Sequence, residues 1–293
     1  MKELVIISGK GGTGKTSMVS SIASLAENMV LCDADVDAAD LHLIMNPDTV
    51  HSDLFSGGGE AVINKDKCIE CGRCRELCKW NAITEDYAVD PIECEGCGVC
   101  FYFCPEKAID FPPKTCGEWF ISDTRFGPMV HARLGIAEEN SGKLVTLVRK
   151  EAKELAEKKG LDLIITDGAP GVGCPVIASI GGADAVLIVT EPTVSGLHDM
   201  TRVAELAAFF KIPALVCVNK YDLNPDKAEE IRQYTEKHNM LFVGRIPFDP
   251  VFTKAMVQGV NIFEYAPEAD VCGDIRAIWS MANERLNSIA AGK

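Results

Sequence analysis

Leu4–Ile7 is a short unbroken apolar run ending at Ser8-Gly9. That pattern predicts a strand buried on both faces and then a turn. From Thr16 to Glu27 apolar side chains recur at helical spacing through Val19, Ile22, Ala23 and Ala26, and Met29–Cys32 is a second apolar run that ends in acids. Strand, helix and strand within about 30 residues predict a βαβ unit. The rhythm breaks near Ser56-Gly57-Gly58-Gly59, which predicts a flexible joint. Cysteine-rich sequence follows to about Phe111, and Pro112-Pro113 marks its exit. Helices are then expected over Leu144–Lys159, Thr201–Phe210, Lys227–His238 and Asp274–Ile289, and strands over Leu161–Thr166, Ala185–Thr190, Ala214–Asn219 and Met240–Val243. The stretch Thr124–His131, polar and glycine-bearing, is expected to be a solvated loop, with a partner contact as the alternative; His131 alone points to nothing. Alternating strands and helices place the chain in the α/β class, a mostly parallel sheet with helices on both faces. The expected organisation is a first part of the main domain at 1–59, an inserted domain at 60–111 and the rest of the main domain at 112–293.

With 293 residues the chain can bury a sizeable core, and 47% hydrophobic with 25% charged residues is ordinary for a globular protein. The net charge of −14 argues against a nucleic-acid partner and against anionic membranes. No apolar run approaches the length of a spanning helix, so no stable membrane insertion is expected. The start Met1-Lys2-Glu3 lacks the long apolar core of a signal peptide, which leads to the expectation of a cytoplasmic protein. The 13 cysteines change the picture, because eight of them fall between Cys68 and Cys104. In a reducing compartment, crowded thiols point to metal or catalysis rather than disulfides.

Gly9-Lys10-Gly11-Gly12-Thr13-Gly14-Lys15-Thr16 fits G-x-x-x-x-G-K-[ST] in full, with a strand before it and a helix expected after it. In such a loop backbone N–H groups curl around phosphate oxygens and the helix N-terminus adds positive potential. Lys15 would reach the β- and γ-phosphates, and the Thr16 hydroxyl would bind Mg²⁺; Ser17 follows in the nucleotide-binding segment. Gly9, Gly11 and Gly14 also fit the dinucleotide pattern G-x-G-x-x-G, but that pattern gives no reason for Lys15-Thr16. Acids end two of the apolar runs: Asp33, Asp35 and Asp37 after Cys32, and Asp167 before Gly168-Ala169-Pro170-Gly171. Phosphoryl transfer needs both metal positioning and an oriented nucleophile.

At Lys10 the chain resembles the deviant Walker A ATPases, the family of MinD, ParA, Mrp-type carriers and the nitrogenase iron protein. The resemblance spans nearly all of the chain outside the cysteine-rich segment. It implies a P-loop NTPase fold, a homodimer and a role for Lys10 in reaching the partner's phosphates. It implies that Asp33 holds a Mg²⁺-bound water and Asp35 orients the attacking water, although the division of roles among Asp33, Asp35 and Asp37 stays open. Asp167 would join the Mg²⁺ shell. Asn219-Lys220-Tyr221-Asp222 matches the base-reading N-K-x-D of GTPases, whereas in the resembled family the Asn faces adenine; ATP is therefore expected over GTP. Ile246-Pro247-Phe248-Asp249-Pro250 resembles the family segment that closes over the base, with Pro247 a nucleotide contact.

Cys68, Cys71, Cys74 and Cys78 form C-x2-C-x2-C-x3-C, and Cys94, Cys97, Cys100 and Cys104 repeat it before Pro105. This is the bacterial ferredoxin spacing, in which the fourth thiolate of each run ligates the other cluster. Cys68, Cys71, Cys74 and Cys104 would hold one [4Fe-4S] cluster, and Cys78, Cys94, Cys97 and Cys100 the second. Lys79 stands where the first run lacks the usual proline, which touches local geometry rather than ligation. Zinc is the competing occupant of paired C-x2-C motifs, but it leaves the two matched four-cysteine runs unexplained. About 50 residues is small for an independent core, so clusters would staple the small α+β insert together. Cys32, Cys116, Cys217 and Cys272 are expected as buried apolar residues. Cys174 lies at the offset of a dimer-bridging cluster ligand in the nitrogenase iron protein. The region matching that protein's other ligand, Glu138–Lys143, holds no cysteine, so a bridging cluster is not expected.

Together these features resemble MinD-superfamily ATPases with an inserted ferredoxin domain. Three functions are compatible: an ATP-gated electron carrier serving an unknown redox or client protein, an iron–sulfur or metal-insertion factor, and a MinD-like positioning switch with structural clusters. The C-x-x-C of Mrp-type carriers is missing from the C-terminal half, which weakens the second. A tail with Arg276, Arg285 and Lys293 as its bases weakens the third.

Overall fold

The computed structural model describes residues 1–135 and 142–291. The chain opens with β1 (Lys2–Ile7), α1 (Lys15–Ala23), β2 (Met29–Asp33), α2 (Leu41–Met45) and β3 (Asp48–Gly59). The cysteine-rich stretch holds β4 (Val62–Ile63), α3 (Arg73–Leu77), α4 (Val99–Phe103) and β5 (Ile109–Asp110). Then come β6 (Pro113–Thr124), β7 (Gly127–Leu134), α5 (Lys143–Lys159), β8 (Leu163–Asp167), α6 (Cys174–Ile180), β9 (Ala185–Thr190), α7 (Val194–Phe209) and β10 (Ala214–Asn219). The last elements are α8 (Pro225–Lys237), β11 (Leu241–Ile246), α9 (Val251–Val257), α10 (Ile262–Tyr265) and α11 (Asp270–Ala291). Contacts divide the chain into two compact units. One comprises Met1–Ser52, Trp119–Arg133 and Asn140–Lys293, and the other Asp53–Glu118 with Leu134–Glu139.

Nine strands are hydrogen-bonded in the order β11-β10-β9-β1-β8-β2-β7-β6-β3. The ladders from β11 across to β7 are parallel. β1 sits between β8 and β9, and its alternation sorts the core of the first unit into two layers. Leu4 and Ile6 pack on one face with Met18, Val19 and Ile22 of α1 and Ile275 and Ile278 of α11. Val5 and Ile7 pack on the other with Val176 and Ile180 of α6, Met200 and Val203 of α7 and Ile231 of α8. A run apolar at every position is what a strand covered on both faces requires. No described helix is long and apolar enough to cross a membrane.

Two local expectations are corrected. Ser56-Gly57-Gly58-Gly59 is no loose joint; it ends β3, a 12-residue strand hydrogen-bonded to β6. Thr124–His131 is not a solvated loop. Arg125-Phe126 turns β6 into β7, where Met129 and Val130 are fully buried, and His131 accepts or donates a 3.0 Å hydrogen bond with Ser122. Arg125 explains the turn's order: it donates to the Ile44 and Met45 carbonyls, both at 2.7 Å, and pairs with Glu264.

The second unit has an internal pseudo-twofold with an offset of 26 residues, taking Cys68 to Cys94 and Cys78 to Cys104. The same operation takes α3 onto α4. It takes the Ile63–Ile109 pair of β4 and β5 onto the Val89–Ile83 bridge. It also exchanges two hydrogen bonds of 2.7 Å, Asn64 N–H to the Ala108 carbonyl and Asp90 N–H to the Ala82 carbonyl. Left-handed backbone recurs in step at Glu70 and Gly96, Gly72 and Gly98, and Asn81 and Lys107. The apolar centre is slight: Ala61, Ala82, Ile83, Ala108 and Ile109 are its most buried members.

Candidate functional site

Parallel strands present their C-terminal ends to one crevice, the usual ligand position of an open α/β sheet. Gly9–Thr16 leaves the end of β1, Asp33 ends β2 and Asp167 ends β8, and the β2–β8 register sets Asp33 opposite Asp167. Asn219 ends β10 and Glu191 follows β9. The loop enters α1 at Gly14, whose φ of 90° is left-handed, and a Cβ there would lie 2.3 Å from Asn219 Nδ2. Glycine is thus demanded by both backbone and space.

Lys15 is buried, and its Nζ lies 3.0 Å from Asp35 Oδ2 and 2.5 Å from Asp167 Oδ1. Burial alone would depress the ammonium pKa; the Asp167 and Asp35 charges outweigh it and hold the pKa above its usual value. Asp33 is driven the other way. Burial comes first and Asp167 second, and together they raise its carboxyl well above the usual range against the pull of Lys15. Burial likewise raises Asp35, with Lys15 opposing. Asp33 Oδ1 accepts the Asp35 N–H, while Oδ2 is buried without a hydrogen-bond partner. An orphaned buried carboxylate oxygen beside a phosphate loop suits the oxygen shell of a hard divalent cation.

A cleft of about 360 Å³ opens over the loop. Gly11, Gly12, Gly14, Lys15, Thr16 and Ser17 line one end, with Asp35, Asn219, Lys220 and Pro247 also on its wall. Phe248, Phe252, Met256 and Ile275 give it an apolar side that could cover a nucleobase. Asn219 Nδ2 donates to the Thr13 carbonyl at 2.8 Å, tying the end of β10 to the loop. Asp222 Oδ1 accepts the Phe248 N–H at 2.6 Å and so holds the segment beside the apolar side. Lys10, 39% exposed along its side chain, lies 3.4 Å from Glu191, which also takes Lys220 at 2.5 Å. Sequence reasoning reached Phe248 through the Ile246–Pro250 segment but missed Glu191 and the rest of the apolar wall. Glu191 was findable as the first residue beyond a strand running towards the crevice, and Phe252 as a neighbour of the Ile246–Pro250 segment, whereas Met256 and Ile275 lie outside any motif.

In the second unit the eight motif cysteines line two cavities. One is lined by Cys68, Cys71, Cys74 and Cys104, the other by Cys78, Cys94, Cys97 and Cys100. Three sulfurs thus come from one run and the fourth from the other, and the remaining walls are mostly apolar. Among the described residues no three His, Cys, Asp or Glu side chains converge closely enough to hold a single metal ion. A donor set of thiols alone, spread around a small apolar chamber, suits a polynuclear iron–sulfur group. Burial pushes the Cys100 thiol up to about 11, helped by the neighbouring Cys94, Cys97 and Cys74 thiols and opposed by a backbone hydrogen bond from Phe101. Of the other cysteines, Cys32, Cys116, Cys217 and Cys272 are buried and Cys174 is exposed. Glu138–Ser141 lie outside the described residues.

The phosphate loop, the acids on adjacent strand ends and the apolar-walled cleft define a P-loop nucleotide-binding protein of the doubly wound α/β class. The chain belongs to the CobQ/CobB/MinD/ParA nucleotide binding domain family, whose model matches residues 4–262. It is 35% identical over 231 residues to the uncharacterized protein MJ0578 of Methanocaldococcus jannaschii, covering 76% of this chain and 79% of that one. Its fold is similar to the septum site-determining protein MinD of Pyrococcus horikoshii OT3, solved with Mg-ADP. That match has a TM-score of 0.59 and 16% identity, and covers 96% of this chain and 95% of the other. A short segment of 47 residues is 43% identical to pyruvate synthase subunit PorD of Methanothermobacter marburgensis, 16% of this chain and 58% of that one.

Proposed function

We propose that this chain is a dimeric ATPase that couples its nucleotide state to electron transfer through two [4Fe-4S] clusters to a partner protein. The observation that carries the reading is the crossed lining of the two cysteine cavities in a chain that also carries a complete phosphate loop. The 47-residue similarity to a pyruvate synthase subunit supports it, since we take that segment to be the cysteine-rich unit. Crossed ligation is the ferredoxin arrangement, and clusters retained by four thiolates each serve transfer of electrons better than donation of the cluster.

In the nucleotide site, the loop N–H groups and Lys15 bind the phosphates. Asp35 and Asp167 hold the Lys15 ammonium where phosphate charge would replace them, so nucleotide entry exchanges the partners of one buried cation. Thr16, Asp33 and Asp167 would hold Mg²⁺, which neutralises phosphate charge when bound. Asp35, once freed from Lys15, is placed to orient a water. The wall of Phe248, Phe252 and Met256 would cover the base, with adenine favoured by the likeness of the Lys10 loop to the ATPases of this family, and Asp222 Oδ1 orders the wall by accepting the Phe248 N–H. Lys10 at the exposed rim would meet the phosphates of a second copy. The protein is expected to act in the cytoplasm. Potentiometry of the iron-loaded chain with and without Mg-ATP is the test. A nucleotide-dependent shift in cluster potential, or in the rate of reducing an acceptor, is expected; no effect on either rejects the coupling.

A further inference from the structure

We infer that the two cysteine cavities are redox-inequivalent, the one lined by Cys68, Cys71, Cys74 and Cys104 taking electrons first, with Arg73 and Glu95 setting the order. The inference rests on the cluster reading above.

The pseudo-twofold makes the comparison position by position. Three equivalent pairs are matched or nearly so, Ile63 with Val89, Ala108 with Ala82 and Ile109 with Ile83. Four are not. Arg73 lines the first cavity where Val99 lines the second, Tyr87 stands where Ala61 does, and Glu95 lines the second where Ile69 lines the first. Glu106 of the first cavity corresponds to Trp80 of the second. The first wall therefore carries one cation and one anion, and the second an anion alone. The thiolates are equal in number, so the difference lies in these side chains.

Reduction adds one electron, and so one negative charge, to a group already ringed by four thiolates. A guanidinium at the wall stabilises the added charge and a carboxylate opposes it. An apolar wall of Trp80, Val99 and Phe111 also opposes it, because it solvates charge poorly. A third difference acts the same way: the Ala108 N–H donates to Cys104 Sγ at 3.3 Å, and hydrogen bonds to ligating sulfur favour the reduced state. Arg73 is exposed, so water and salt screen its contribution and its effect should grow as ionic strength falls. An electron from a low-potential donor would settle in the first cavity whichever cavity it enters by.

The test is an EPR-monitored titration of the iron-loaded full chain, with dithionite as reductant, on wild type, Arg73→Val, Glu95→Ile and the double variant. Arg73→Gln provides a polar control should the valine variant load poorly. Two resolved midpoints are expected. Arg73→Val lowers the higher one, Glu95→Ile raises the lower one, and the double variant narrows the gap. The inference is overturned if Arg73→Val moves the lower midpoint, if neither single variant moves a midpoint, or if both sites titrate together in wild type. Iron and sulfide content short of two clusters per chain would instead defeat the cluster reading itself, and the inference with it.

Discussion

Lys15 has two buried carboxylates as partners, so its removal acts on stability as well as chemistry. Lys15→Ala leaves the buried carboxylates Asp33, Asp35 and Asp167 without their counter-charge at the floor of the cleft. The nucleotide-free protein should lose about 3 kcal/mol at neutral pH, and less in acid where the carboxyls take up protons. Hydrolysis should fall about 1,000-fold or more while iron content stays unchanged. Phosphate release and anaerobic denaturation measure the two effects separately. His131 offers a pH signature. Burial first, then His42 and Arg133, lower its pKa to about 4 from 6.5. Between those values the unfolded chain carries a proton that native His131 refuses, so stability falls as pH drops through that window and is complete above it. The slope amounts to at most about 3 kcal/mol. Denaturation at pH 7.5 and pH 5 should show it in wild type and show it reduced in His131→Gln. The loop lysine and the strand-end acids were legible from sequence because their chemistry is local to a motif. His131 was not, because its environment of Phe120, Ser122 and His42 is assembled by strand pairing.

At the level of elements, the βαβ rhythm was readable wherever a strand is buried on both faces. Ala185–Thr190 and Ala214–Asn219 are apolar almost throughout, and both strands have the expected bounds. β3, β6 and β7 escaped notice for the opposite reason. β3 is largely exposed along one edge of the sheet, and the glycines at its end carry the composition of a linker although hydrogen bonds to β6 order them. The turn between β6 and β7 owes its shape to Arg125, which joins it to the carbonyl end of α2 and to Glu264 in the capping box of α10. Charge-assisted bonds of this kind are worth roughly 1.5–3 kcal/mol each when a partner is lost, before compensation by water. Arg125→Ala is therefore expected to destabilise the nucleotide-binding unit by about 2 kcal/mol, read as a lower denaturation midpoint with an unchanged slope. An unaltered midpoint would show that the turn orders itself without the guanidinium.

Across the whole molecule, two chemistries reside in two compact units of one chain. The repeated cysteine spacing nominated both ligand sets and the 26-residue offset, but comparing their surroundings needed the backbone, because around the cysteines the repeat is carried by left-handed turns and exchanged hydrogen bonds more than by residue identity. Self-association belongs to this scale. Glu191 holds Lys10 and Lys220 together, so on the proposed dimer reading it retains Lys10 within its own protomer. Glu191→Gln should free that lysine and tighten dimerisation with a non-hydrolysable ATP analogue by up to about fivefold, the scale of one partly exposed ion pair. Sedimentation equilibrium would detect it, and unchanged or weaker association would remove Glu191 from that role.

Each cysteine run supplies the last sulfur of its neighbour's cavity, so neither chamber is closed by one run alone. Filling should then be all-or-none: chains with a full complement and chains with none, and few in between. The same strapping sets a vulnerability, because oxidation of Cys78 or Cys104 would open a chamber built mainly by the opposite run and carry the damage from one half of the repeat to the other.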